Sequence, residues 1–304
     1  PRYQGAGSSL INPIRLDNAY QTMKDMGINL TFSKGYELKK AKAKKAMDLI
    51  LDAKAAAKNA DVAVVFVGLT DEYETEGADR HHLSIPPMHN VLVEEVLKVN
   101  PNTVVVLSGG AAVEMPWADK VPAILNMFLT GQAGGSAVCD ILFGDVNPSG
   151  KLSETYPLAL SDNSSYNYFP GTTVSVEHRE SVYVGYKYYD TAEKQVAFPF
   201  GFGLSYTTFE YSDLKVSADN IKDTDTVTVS FKVKNTGDVD GAEVAQLYVS
   251  DVESTIYRPV KELKGFKKVF LKAGEEKEIE ITLDKRAFAY YNVNINDWHV
   301  ESGE

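Results

Sequence analysis

Five carboxylates fall between positions 71 and 79: Asp71, Glu72, Glu74, Glu76 and Asp79, in the stretch Gly68-Leu-Thr-Asp-Glu-Tyr-Glu-Thr-Glu-Gly-Ala-Asp-Arg80. Such oxygen donors suit a hard cation. However, the spacing lacks the alternating Asp/Asn ladder and terminal Glu of a helix-loop-helix calcium site. His81 and His82 follow directly and raise the question of zinc. Adjacent histidines in an extended segment face opposite sides, and no second cluster of ligands accompanies them. A third reading is a solvated acidic loop with no chemistry. What singles the loop out is its place. It leaves the apolar run Asp61-Val-Ala-Val-Val-Phe-Val67, and the carboxyl end of a buried parallel strand is where α/β proteins usually do chemistry.

The elements that must hold this loop can be read from the apolar pattern. Gly68 and Gly77 allow sharp turns, and Pro86 and Pro87 stop extended structure before the next helix. Strands are expected at 62–67, 103–108 and 123–129, alternating with helices at 88–99, 111–118 and 134–143. Near-continuous apolar strands alternating with helices predict a mostly parallel sheet with helices on both faces. Upstream, the pattern predicts a short helix at 17–26, a short strand at 28–33 and a long Ala/Lys helix at 37–58 that carries Lys39 and Lys40 on a solvated face. Gln4-Gly-Ala-Gly-Ser-Ser9 is a flexible turn whose amides and hydroxyls can meet a ligand's oxygens, although such a turn is more often a plain loop.

The texture changes near residue 160. Residues 161–206 are rich in Ser, Asn, Tyr, Pro and Gly, and carry Tyr183, Tyr186, Tyr188, Tyr189 and then Phe198-Pro-Phe-Gly-Phe202. That is too aromatic for a solvated linker, and the rings are expected to lie across the first body. Beyond it the period becomes two, with strands expected at 227–234, 243–250 and 277–283, as in an antiparallel fibronectin- or immunoglobulin-like sandwich. The domains are thus 1–160, a connector at 161–206, and 207–304.

Composition narrows the partners. A net charge of −11 disfavours nucleic acid, whose binding depends on Lys and Arg neutralising phosphates. A neutral small substrate fits better. No apolar run approaches the roughly 20 residues of a membrane-spanning helix. The single cysteine, Cys139, excludes an internal disulfide and reads as a small buried thiol. With no signal peptide visible, a cytoplasmic location is favoured, although both ends look cut. No metal and no cofactor is expected, and a homo-oligomer is left open.

Glu74-Thr-Glu-Gly-Ala-Asp-Arg80 followed by Leu83-Ser-Ile-Pro86 resembles the acid/base loop of glycoside hydrolase family 3, the β-glucosidase family. The resemblance runs over nearly the whole chain. It includes Gln4-Gly-Ala-Gly-Ser-Ser9, Gly131-Gln-Ala-Gly-Gly135, Ile141-Leu-Phe-Gly-Asp-Val-Asn-Pro-Ser-Gly-Lys-Leu152, Phe198-Pro-Phe-Gly-Phe-Gly-Leu-Ser-Tyr-Thr-Thr-Phe209 and Arg258-Pro-Val-Lys-Glu-Leu-Lys-Gly-Phe266. These match that family's α/β sandwich domain, connector and fibronectin type III-like domain.

The resemblance implies a retaining double displacement on a β-glucoside or oligosaccharide. A nucleophilic Asp on a (β/α)₈ barrel attacks the anomeric carbon, and a Glu from the sandwich domain acts as acid and then base. By the motif that Glu is Glu76, with Glu74 the runner-up, two residues away on the same side of an extended segment. Ser8 is expected at the sugar subsite, and Asp79 and Arg80 as loop support. Carboxylate crowding, and exclusion of water by the barrel, are expected to raise the pKa of Glu76. The chain departs from the family in carrying no barrel, so it alone is expected to be inactive. Asp297-Trp298 superficially resembles the nucleophile dipeptide but falls in the last expected strand. Ala78 stands where an aromatic residue is common and Ala133 where an acid is. Related readings are a β-xylosidase or another family 3 exo-glycosidase, and a non-catalytic carbohydrate-binding or scaffolding module.

Overall fold

The computed structural model describes residues 2–38 and 42–304, which divide into two compact units. The first comprises 1–146 with 157–160, and the second 147–156 with 161–304. Among the described residues no helix is long and apolar enough to cross a membrane.

The first unit is an α/β sandwich. In chain order it contains α1 (Ala19–Asp25), α2 (Ala43–Lys58), β1 (Ala63–Gly68), α3 (Pro87–Leu97), β2 (Thr103–Ser108), β3 (Ala123–Asn126) and α4 (Gly134–Leu142). The three strands lie parallel in the order β1-β2-β3, with Val65 opposite Val105 and Val105 opposite Ile124. β2 reads Thr-Val-Val-Val-Leu-Ser and is buried at nearly every position, as expected of a parallel strand covered on both faces. Proline at the first position of α3 starts a helix whose His89, Leu92, Val93 and Val96 recur at helical spacing and are buried, and α3 packs on β1 and β2. α2 packs on α3, and α1 on α4.

Several expectations need correction. Residues 28–33 form no strand. Ile28 N donates to Met23 O, and Phe32 instead packs its ring 5.2 Å from that of Tyr20. Residues 111–118 form no helix, because Glu114 N donates to Leu83 O and Pro116 has no N–H to continue a helical ladder. The long Lys-rich helix begins at Ala43, and Lys39 and Lys40 of that expectation lie outside the described residues.

Burial also sets the protonation of one core histidine. His89 is 3% exposed, and its Nδ1 accepts from Gly68 N at 3.3 Å, so it is neutral at that atom. Burial pushes the imidazole down to about 4. Between that value and the ordinary ~6.5, the unfolded chain takes up a proton that the folded chain refuses. Stability is therefore complete above pH ~6.5 and falls by about 3 kcal/mol as the pH drops toward 4. The urea midpoint followed by Trp117, a fully buried residue of the same unit, should decline over that range. His89→Gln should remove part of the decline, and an unchanged slope would refute the assignment.

In the second unit two short strands, β4 (Tyr156–Pro157, whose Tyr156 belongs here) and β5 (Val196–Phe198), and α5 (Tyr186–Thr191) precede an antiparallel sandwich. One sheet has the order β10 (Glu276–Leu283), β7 (Val227–Asn235), β6 (Phe209–Val216), and the other pairs β8 (Gly241–Val249) with β9 (Glu262–Leu271). Val227, Val229, Phe231 and Val233 alternate into the core against Ile279, Ile281 and Leu283. The aromatic segment belongs to this unit. Tyr186 stacks on Phe200 at 4.6 Å and meets Tyr248 edge-on at 5.9 Å, and its hydroxyl accepts from Leu263 N at 2.7 Å. α6 (Lys285–Phe288) leads to a hairpin of β11 (Tyr290–Asn292) and β12 (Asp297–His299), which carries Asp297-Trp298 with the Trp298 ring under Arg286.

Candidate active site

β1 ends at Gly68, whose φ of +151° and close approach to the end of β2 exclude a side chain. A Cβ there would lie 1.8 Å from Ser108 O. Leu69 N then donates to Ser108 O, and Tyr73 N and Glu74 N both donate to Thr70 O, so the acidic loop leaves the sheet through a tight turn. At its far end Thr75 bridges Ala78, placing Glu76 and Gly77 at the tip of a two-residue turn, with Gly77 at φ +79°.

Glu76 is exposed, and its Oε2 accepts from Ser8 N at 2.6 Å. Ser8 lies in a 3₁₀ turn, Gly7–Ser9, of the opening glycine-rich segment. That segment is fixed where Gly131 N donates to Tyr3 O at 2.7 Å and Ile11 N to Gln4 Oε1 at 3.1 Å. Gly7, at φ +78°, passes so close that a Cβ would sit 2.6 Å from the Cβ of Glu76. The Ser8 hydroxyl and backbone amide together hold the Glu76 carboxyl below the usual carboxylate range. The direction is thus opposite to the upward shift expected from crowding, because hydrogen bonds from Ser8 favour the ionised carboxylate.

Glu74 is otherwise engaged. Its Oε2 accepts from Arg2 Nη1 at 2.7 Å and from Gly110 N at 2.9 Å. Arg2 is almost wholly buried, and its Nε lies 3.2 Å from Asp71 Oδ1 without the alignment to donate to it. Arg80 Nη1 donates to Ala112 O at 3.1 Å, anchoring the loop's exit, whereas Asp79 is exposed. His82 meets the Tyr73 ring edge-on at 5.6 Å. Among the described residues no three His, Cys, Asp or Glu side chains converge as a metal-binding group.

The structure thus brings Ser8 and Glu76 into direct contact and ties Glu74 into the frame. Neither Arg2 nor Gly110 is marked by any local pattern in the sequence. A lone Arg at position 2 has no local acidic partner, and its meaning emerges only once the opening segment lies against the loop.

The candidate site is thus an exposed carboxyl at a loop tip beyond a parallel strand, hydrogen-bonded by a glycine-rich turn. The chain matches the glycosyl hydrolase family 3 C-terminal domain over residues 1–206 and a fibronectin type III-like domain over 243–304. It belongs to glycosyl hydrolase family 3. It is 57% identical over 307 residues to thermostable beta-glucosidase B of Acetivibrio thermocellus, covering 100% of this chain and 40% of that protein. It is 46% identical over 305 residues to exo-alpha-(1->6)-L-arabinopyranosidase of Bifidobacterium breve, with the same coverage of 100% and 40%. The crystal structure of the family 3 beta-glucosidase of Bifidobacterium adolescentis superposes with a TM-score of 0.94 at 46% identity, covering 100% of this chain and 44% of that one. The chain therefore spans about 40% of the length of these two curated relatives.

Proposed function

We propose that this chain supplies the general acid/base, Glu76, of a retaining exo-acting β-glucosidase that removes terminal β-D-glucosyl residues. The nucleophilic Asp comes from the (β/α)₈ barrel of the same enzyme. The observation that carries this reading is the exposed Glu76 carboxyl at the loop tip, in contact with Ser8, while its rival Glu74 is engaged by Arg2 and Gly110. In the first step Glu76 protonates the leaving oxygen, and in the second it takes a proton from water. Ser8 serves the sugar subsite, Arg80 and Asp79 support the loop, and no metal or cofactor enters the reaction. For Glu76 to be protonated when needed, the Ser8 bonds must be loosened and water excluded as the barrel covers the loop. The partner is thus the barrel, and the substrate a β-glucoside or oligosaccharide.

A second reading, another family 3 exo-glycosidase, is favoured by the 46% identity to the Bifidobacterium breve arabinopyranosidase. The decisive assay runs on the whole enzyme containing this chain, with aryl β-glucoside, β-xyloside and α-L-arabinopyranoside in parallel. Glucoside should be turned over fastest, and proton NMR of the first-formed sugar should show the β anomer. First formation of the α anomer would end the retaining mechanism, and preference for either other sugar would select the second reading. This chain alone should turn over none of them.

A further inference from the structure

We propose that Arg2 and Glu74 form a positioning clamp that sets the height and direction of the Glu76 carboxyl, an inference that rests on the acid/base reading above. Three stretches of backbone converge on this pair. Arg2 carries the opening segment, Gly110 follows the end of β2, and Glu74 precedes the turn that holds Glu76. One carboxylate oxygen, Glu74 Oε2, takes a hydrogen bond from Arg2 Nη1 at 2.7 Å and another from Gly110 N at 2.9 Å, so a single group joins all three. Asp71, 3.2 Å from Arg2 Nε, lies at the loop's beginning, so the guanidinium draws in the loop at two places.

The contact is close by construction. A Cβ on Gly110 would lie 2.8 Å from Glu74 Oε1, so a larger residue there would have to push the carboxylate aside. The Arg2 side chain is 8% exposed and that of Glu74 22%, which makes the pair far less dissociable than a solvated surface ion pair. From Glu74 the chain runs directly into the Thr75–Ala78 bridge, so a shift at Glu74 passes to Glu76 with little slack. The opening segment that Arg2 holds also carries Ser8, whose amide meets the Glu76 carboxylate. The clamp thereby fixes both the acid and the group that orients it. The same bonds keep Glu74 from acting as a second acid.

The test uses the whole enzyme and two substrates, an alkyl β-glucoside whose departure needs a proton and a dinitrophenyl β-glucoside whose departure does not. If Glu74 acts through the placement of Glu76, Glu74→Ala should lower kcat/KM, which reports the first step, on the alkyl glucoside by on the order of ten- to 100-fold and leave kcat/KM on the dinitrophenyl glucoside within about threefold. In a Glu76→Gln background the same substitution should cost nothing further on the alkyl glucoside, because there is no acid left to misplace. Glu74→Gln keeps an acceptor for Gly110 N and should recover most of the loss, and Arg2→Lys should fall between. If Glu74→Ala fails to fold, these two milder variants carry the same comparison. Equal losses on both substrates, or a full additional loss in the Glu76→Gln background, would overturn the clamp while leaving Glu76 as the acid. If azide rescues Glu74→Ala and not Glu76→Gln, both the clamp and the acid/base assignment fall.

Discussion

Glu76→Gln in the whole enzyme is expected to lower turnover of glucosides with poor leaving groups by roughly 10²- to 10⁴-fold, the range a positioned general acid supplies. Glucosides of dinitrophenol should still glycosylate the enzyme, because that leaving group needs no proton. Their turnover then stalls at the second step, where water has lost its general base. Azide needs no base, so it should restore turnover and yield a glucosyl azide of β configuration, since two successive inversions retain the anomeric centre. Glu74→Gln should show neither behaviour, because its carboxylate is already spent on Arg2 and Gly110. The pH profile adds an independent check. In the free chain Ser8 holds Glu76 below the ordinary carboxylate range, so a carbon-13 titration should find it ionised at mildly acidic pH. In the whole enzyme the alkaline limb of kcat/KM must lie above that titration and vanish in Glu76→Gln. An unaltered limb in the variant would move the acid elsewhere.

How the acidic loop was legible, and its support was not, follows from what a sequence encodes locally. The strands that carry the loop announced themselves because parallel strands buried on both faces must be Val-rich runs, and 103–108 emerged with its predicted bounds as β2. Glu76 was legible through its motif with Gly77, which the tip turn requires at φ +79°. The Arg2–Glu74 bond joins residues 72 apart and follows no local pattern, so only the fold reveals it. Residues 111–118 were misread for the same reason. Their local composition suits a helix, but Glu114 N is claimed by Leu83 O from a distant turn.

In the second unit the alternating strands β7 and β10 were plain because one face is core and the other solvent. β6 and β9 were not singled out. β6 is exposed along most of its length and has a register shift between Ser212 and Lys215, and β9 shows Phe266 and Phe270 on its outward positions. Neither presents the simple in-out alternation that marks a half-buried strand. The expected pKa of Glu76 failed more instructively. Counting five carboxylates predicts mutual repulsion, yet Arg2 engages two of them, and what acts on Glu76 is hydrogen bonding from the hydroxyl and the backbone amide of Ser8.

The second large effect is expected at the loop's root. Gly68→Ala should destabilise the first unit by about 4 kcal/mol, at the upper end for a single substitution. The new Cβ would meet Ser108 O at 1.8 Å, Ser108 C at 2.7 Å and Ser108 N at 2.8 Å, all backbone atoms of the adjoining strand that cannot swing aside. Relief requires β1 and β2 to separate, which also breaks the Leu69 N to Ser108 O bond. Gly77→Ala is the control. It too has a positive φ, +79°, but nothing lies within 4 Å, so it should cost only the left-handed strain of about 1 kcal/mol. The chain's two tryptophans separate the units, Trp117 being buried in the first and Trp298 lying under Arg286 in the second. In urea, with Trp298→Phe so that emission comes from Trp117 alone, Gly68→Ala should shift the midpoint several-fold more than Gly77→Ala. With Trp117→Phe, the Trp298 transition should move for neither. Equal shifts for the two glycines would mean that backbone strain, and not the approach of Ser108, governs the root of the loop.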